Sequence, residues 1–160
     1  VMHVINVLLL AGIDEILIVS SNLEYEKFGF RVIPDIIKDK GPLGGIFTGL
    51  SNSTNTKNVV LSCDIPFLDF SVIQLLMKEC GNELISIVKF NEQIHPLIGI
   101  YDSRLLDDLK EHLSLNLLKV EQFISNFENK ILDVSLLLPK LNSSSFSNVN
   151  TVMDLKSCEL

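Results

Sequence analysis

At 160 residues, 47% hydrophobic and 21% charged, the chain has the size and composition of one globular domain and can bury a full core without staples. A net charge of −7 with no run of Lys or Arg excludes a nucleic-acid groove, which needs clustered cations to displace counterions. It leaves room for a nucleotide held by backbone amides and a divalent cation. No apolar stretch approaches the ~20 residues of a membrane span, and no basic segment precedes an apolar one, so a cytoplasmic protein is expected. Cys63, Cys80 and Cys158 are odd in number and lack CxxC spacing. They read as reduced thiols, mostly buried apolar fillers. The first residue, Val1, reads as a position inside a longer protein.

In chain order, residues 1–10 predict a buried helix closed by Gly12 in a left-handed cap. Leu9-Leu10-Ala11-Gly12 has the look of a nucleotide loop, but no second glycine or Lys follows. Residues 16–20 (ILIVS) are β-branched and read as a buried strand ended by Ser21-Asn22. Residues 30–33 (FRVI) are the next strand, closed by Pro34-Asp35. Lys38-Asp39-Lys40 leads into Gly41-Pro42-Leu43-Gly44-Gly45 and a helix to about Ser51, followed by a polar loop over 51–58. Residues 59–63 form a third strand before Asp64-Ile65-Pro66. Ser71 with Gln74 reads as a capping box for a helix to about Cys80. Strands are expected over 84–88 and 96–101, separated by a polar turn at 91–93. Asp102 starts a long helix to about Leu113, 117–127 a second, and 131–134 is a last strand. Residues 143–147 look like a loop, and Thr151 with Asp154 caps a C-terminal helix.

This alternation predicts a Rossmann-like α/β domain, a mostly parallel sheet with helices on both faces. Such sheets bind ligands outside the carboxyl ends of their strands. The polar residues at those ends are therefore the candidates: Asn22, Asp35, Asp64 and His95. Asp64, directly after an apolar strand, is a hard oxygen donor suited to Mg²⁺ beside phosphates; the same letter also suits a turn or a cap. The 41–45 segment opens a helix whose backbone amides favour an anion, and glycine lets backbone approach a ligand. A plain turn fits these residues nearly as well. Asn22 and Asp35 are ordinary turn residues taken singly. His95 has no nucleophile beside it, and no serine sits in a nucleophile elbow, so covalent catalysis is not indicated.

Taken together, ILIVSSN (16–22), Val32-Ile33-Pro34-Asp35, Gly41-Pro42-Leu43-Gly44-Gly45, Leu61-Ser62-Cys63-Asp64-Ile65-Pro66, His95-Pro96 and Asn148-Val149-Asn150-Thr151 resemble, in order, the motifs of the MobA-type molybdenum-cofactor guanylyltransferases. The resemblance implies a nucleotide-diphospho-sugar-transferase-like fold. It also implies an activity: GMP passes from GTP to molybdenum-bound molybdopterin, giving the guanine dinucleotide cofactor and pyrophosphate. Asn22, Asp35, Gly41, Pro42, Leu43, Gly44, Gly45 and Asp64 then correspond to GTP contacts, with Asp64 also the Mg²⁺ ligand. His95, Asn148 and Asn150 would face the pterin. Transient contacts with molybdenum-insertion proteins and molybdoenzyme chaperones follow from the same resemblance.

The family pattern also opens with a strand and a loop of the form LAGGxSxRMGxDK, which no stretch here matches. By that resemblance the chain is a single domain lacking its N-terminal strand and phosphate loop. The lost strand would be central in the sheet, and the chain alone is expected to be inactive. Two alternatives stay open: another nucleotidyltransferase of the same fold, acting on a cytidylyl or sugar-phosphate substrate, or a non-catalytic binding remnant.

Overall fold

The computed structural model describes residues 1–147. The expectations for Asn148, Asn150, Cys158 and the Thr151–Asp154 cap lie outside the described residues. Short β-branched runs form the first two strands. Helix α1 (Met2–Leu10) leads through Gly12, at φ 93°, to β1 (Leu17–Val19), which pairs in parallel with β2 (Arg31–Ile33). A 3₁₀ turn, Leu23–Phe28, lies between them, capped by the Asn22 side chain. Helix α2 (Gly41–Asn52) then leads to a second sheet built from β3 (Lys57–Leu61), β4 (Ile85–Phe90), β5 (Gln93–Asp102) and β6 (Asn129–Asp133). Its strand order is β3-β5-β4-β6.

Two pairs, β1–β2 and β4–β6, run parallel. The exception is β5, antiparallel to both β3 and β4, so the sheet is mixed. The polar turn at 91–93 explains it. Asn91 (φ 46°) and Glu92 (φ 64°) form a two-residue turn with positive φ at both positions, which folds β4 back on β5 without a helix. β5 begins at Gln93, earlier than its sequence suggested, because Pro96 sits at a bulge. The pairing jumps from Ile87↔Gly99 to Val88↔His95, leaving Pro96, Leu97 and Ile98 outside the ladder with β4. A bulge is where a strand tolerates a residue without an amide hydrogen. The Tyr101 hydroxyl donates to the Pro96 carbonyl at 2.6 Å, and burial pushes that phenol well above its ordinary pKa.

Ordinary alternation sends β4 side chains to both faces of the sheet. Ile85 and Ile87 pack with Tyr101 against α2, α4 (Leu106–Ser114) and α5 (Val120–Ile124), around Leu43, Leu109 and Phe123. Val88 and Phe90 pack on the other face with Ile98 and Ile100, against α3 (Phe70–Glu79) and Val7 of α1. Helices therefore cover both faces, as the alternation predicts. Fully burying one such Ile or Phe stabilises the fold by about 1.5–3 kcal/mol.

Several local expectations are corrected. The α3 cap is Asp69, whose carboxylate accepts the Ser71 amide at 2.8 Å, and not a box formed by Ser71 and Gln74. Asp102 caps a 3₁₀ turn, Ser103–Leu105, that precedes α4, so the long helix starts later. The helix expected over 117–127 shrinks to α5, because Lys119 is its cap and the chain turns at Ser125. A 3₁₀ turn, Ser143–Phe146, stands in the polar loop, and the short helix α6 (Val134–Leu137) follows β6 directly. Cys63 is exposed and so is not the apolar filler expected, whereas the half-buried Cys80 packs against the core as expected; both thiols are free.

The Asp102 carboxylate is itself buried (0% exposed) and fully partnered. Arg104 grips it through Nε and Nη2 at 2.9 and 2.8 Å, and Lys57 reaches it at 3.2 Å. The Arg104 guanidinium, with its backbone amide and Lys57, holds that carboxyl well below the usual carboxylate range despite burial. The network ties the end of β5 to the start of β3 and is structural. Among the described residues, no helix is long and apolar enough to cross a membrane.

Candidate functional site

The two sheets do not join. Among the described residues β1 pairs only with β2, and β3 pairs only with β5, so each presents an edge without a strand partner. Between these edges lies a cavity of about 1100 Å³ lined by the whole of β1 and β3. Its floor is apolar: Val4, Ile5 and Leu8 of α1, with Ile46 and Leu50 of α2. Val1 also stands at its wall. A cavity for one small ligand is ~300–1,000 Å³, so this one is large enough for a nucleotide.

The ends of the strands bring the polar candidates to this cavity. Ser20 follows β1, Asp35 follows β2, Gly41, Pro42 and Gly45 form the first turn of α2, and Ser62 and Cys63 follow β3; all seven line it. Asp64 comes next in the chain, half-buried, and its carboxylate accepts a hydrogen bond from the Ser62 hydroxyl. The Ser62 amide in turn donates to the Leu97 carbonyl at 3.1 Å, anchoring the turn to β5. The carboxylate thus stands at a strand end beside the cavity that the glycine turn also lines.

The 38–45 segment is built for a close backbone approach. Asp39 (φ 59°) and Gly41 (φ 57°) are both left-handed, which turns the chain sharply into the helix. At Gly44 a Cβ would lie 2.8 Å from the Lys40 Cβ, so the first turn closes over Lys40 only because residue 44 is glycine. Leu43 is fully buried and fastens α2 to the core; its side chain faces away from the cavity contents. Lys40 itself is held by Asn116, whose Oδ1 accepts from Nζ at 2.9 Å.

Asn22 and His95 stand apart. Asn22 is exposed and does not line the cavity. Its side chain accepts the Glu24 amide at 3.0 Å and caps the 3₁₀ turn, so part of its capacity is already used. His95 lies inside β5 rather than after a strand. It is half-buried, 4.9 Å from the Phe146 ring, which stacks at 4.3 Å on Phe90. Burial lowers its pKa from the ordinary histidine value. It lines neither this cavity nor a cluster with Asp64.

Sequence inspection passed over Ser62 and Thr48. Ser62 carried one signal, a hydroxyl two residues before an acidic residue, a spacing that allows a local side-chain bond. Thr48 carried none, since its partner is the amide of Ile36, twelve residues away.

Comparison with known proteins agrees with this geometry. Residues 1–127 match the family model described as "MobA-like NTP transferase domain". A Flavobacterium johnsoniae protein named "Probable molybdenum cofactor guanylyltransferase" is 30% identical over 148 residues, covering 92% of this chain and 76% of the relative. A Clostridium perfringens protein of the same name is 33% identical over 143 residues, covering 87% and 72%. Among solved structures, molybdopterin-guanine dinucleotide biosynthesis protein A from Archaeoglobus fulgidus superposes with TM-score 0.76 at 23% identity, over 98% of this chain and 83% of that one. A protein from Aquifex aeolicus VF5 superposes with TM-score 0.75 at 21% identity, over 87% and 72%. The matched span takes in both the glycine turn at 41–45 and the carboxylate at position 64, and the chain belongs to the MobA-like NTP transferase family.

Proposed function

We propose that this chain provides the GTP-binding half of a reaction that transfers GMP to molybdenum-bound molybdopterin, releasing pyrophosphate. One observation carries the proposal: Asp35, the glycine turn of α2 and the Ser62-Cys63 segment after β3 line a single cavity, and Asp64, the next residue, is hydrogen-bonded to Ser62. The relatives' names supply the acceptor and the guanine base. Asp35 and the 41–45 backbone contact the nucleoside, and the α2 N-terminus presents amides to negative charge.

Mg²⁺ fits the donors present. The ion accepts one or two protein carboxylates and fills its octahedron from phosphates and water. Asp64 offers one such carboxylate, and among the described residues no group of three ligands forms a cage. That suits an ion that arrives with the triphosphate; bound there, it would neutralise charge on the leaving pyrophosphate. Asp64 holds its place through the Ser62 hydroxyl, and the glycine turn fixes the nucleoside. The chain's own contribution is then alignment of donor and acceptor rather than covalent chemistry. Asn22, which caps its own turn, and His95, packed on Phe146, stand outside this cavity and take no part in it. Protein partners are the molybdenum-insertion proteins and molybdoenzyme chaperones. The site is cytoplasmic.

The same proposal includes one further strand, followed by a phosphate-binding loop, seated between β1 and β3. Two edges that are unpaired among the described residues and face one cavity support it, since buried backbone groups need partners.

Nucleobase choice tests the function. With Mg²⁺ present, GTP is expected to raise the melting temperature at concentrations where CTP and UTP do not. Equal protection by CTP would move the chain to a cytidylyl or sugar-phosphate substrate. No protection by any nucleotide would favour a non-catalytic remnant.

A further inference from the structure

We infer that Thr48 is a positioning residue for nucleotide binding, acting through Asp35; the inference rests on the GTP site proposed above. Thr48 is fully buried (0% exposed) on α2, within one turn of Gly44 and Gly45. Its hydroxyl oxygen accepts the Ile36 amide at 3.0 Å. Its carbonyl accepts Asn52 Nδ2 at 3.0 Å, and Asn52 Oδ1 accepts Arg31 Nη2 at 2.9 Å. The segment that carries Asp35 is thus fastened to α2 at both ends, through Arg31 and through Ile36.

Apolar packing does little of this fastening. The Ile36 side chain is 53% exposed, and Pro34 is exposed as well. Ile37 rests on the core, but nothing apolar fixes the peptide that joins Asp35 to Ile36. One hydrogen bond, from the Ile36 amide to a buried hydroxyl, sets where that peptide lies relative to the glycine turn. Both groups line the cavity, so the bond sets the spacing between two parts of one nucleotide site. A polar atom at a helix position that faces the core is otherwise a poor choice, because an apolar isostere would fill the space without a hydroxyl to satisfy.

A double-mutant cycle between positions 48 and 35 tests this, reading the Kd of Mg²⁺-GTP on the full chain. Thr48→Val, of nearly the same shape, is expected to weaken GTP about tenfold, a coupling of about 1.4 kcal/mol. Asp35→Ala is expected to weaken it at least as much. In the Asp35→Ala background Thr48→Val should have no further effect; with Asp35 intact, Thr48→Ser should keep the native Kd. Hydrogen exchange should quicken at the Ile36 amide in Thr48→Val and return to the native rate in Thr48→Ser. If Thr48→Val weakens GTP equally with and without Asp35, or leaves the Kd unchanged, the positioning role is overturned while the GTP site stands. If Asp35→Ala leaves the Kd unchanged, the GTP role of Asp35 falls and takes this inference with it. Should Thr48→Val fail to fold, Thr48→Ser against Thr48→Ala completes the same cycle.

Discussion

Asp64→Ala is expected to abolish Mg²⁺-dependent GMP transfer, a loss of about 10³-fold or more, the size seen when one preorganised electrostatic partner of a transition state is removed. The fold should survive it. Asp64 is half-buried, its one side-chain bond in the described structure is from the Ser62 hydroxyl, and that hydroxyl can turn to water. A melting temperature within about 2 °C of the parent is therefore expected, as for a substitution outside the core. Asp64→Asn separates charge from shape: it keeps an oxygen for Ser62 but offers the ion a neutral ligand, so activity should fall nearly as far. The assay compares turnover with and without Mg²⁺ in a protein that turns over GTP. Undiminished turnover in Asp64→Ala would remove this carboxylate from the mechanism.

A strand seated between β1 and β3 is expected to raise the melting temperature, because it buries apolar side chains against the cavity wall and gives partners to backbone groups along both edges. The experiment joins a five-residue β-branched segment to Val1, which already stands at the cavity wall. The control carries Pro at the middle residue, which cannot donate to a ladder flanked by strands on both sides. A rise confined to the first segment is expected. Equal melting temperatures for both would show that the two edges do not accept a strand, and the cavity would then be a ligand site along its whole length.

Much of the fold was legible because hydrophobic period and turn chemistry agree along most of the chain. β1 and β2 stood out as β-branched runs closed by polar or Pro-Asp turns, and α2 began where its glycine turn said it would. What escaped was set by contacts distant in sequence. The antiparallel course of β5 was implicit in the two-residue turn at Asn91-Glu92, yet the general alternation of strands and helices overrode it. The bulge at Pro96 is a tertiary compromise, in which β5 leaves β4 while Leu97 and Ile98 stay with β3, and no local pattern announces it. The α3 cap went to Asp69 because a carboxylate two residues before Ser71 takes the Ser71 amide, the same donor that Gln74 would have reached in a capping box.

The candidate site was legible to the same degree. Position alone, at the ends of strands, picked out Asp35 and Asp64, and the glycine turn at 41–45 lies where helix-opening glycines were expected. His95 was drawn in by its motif, but it belongs to the hairpin and packs on Phe146. Ser62 and Thr48 needed coordinates, because a hydroxyl announces its partner only when that partner is near in sequence.

Hydrogen exchange with and without Mg²⁺-GTP tests most directly whether the strand ends and the glycine turn form one nucleotide crevice. Simultaneous slowing of amides over 35–46 and 62–65, with the 129–133 edge of the sheet unchanged, is the predicted result. Slowing of one group without the other, or of neither at saturating GTP, would contradict it.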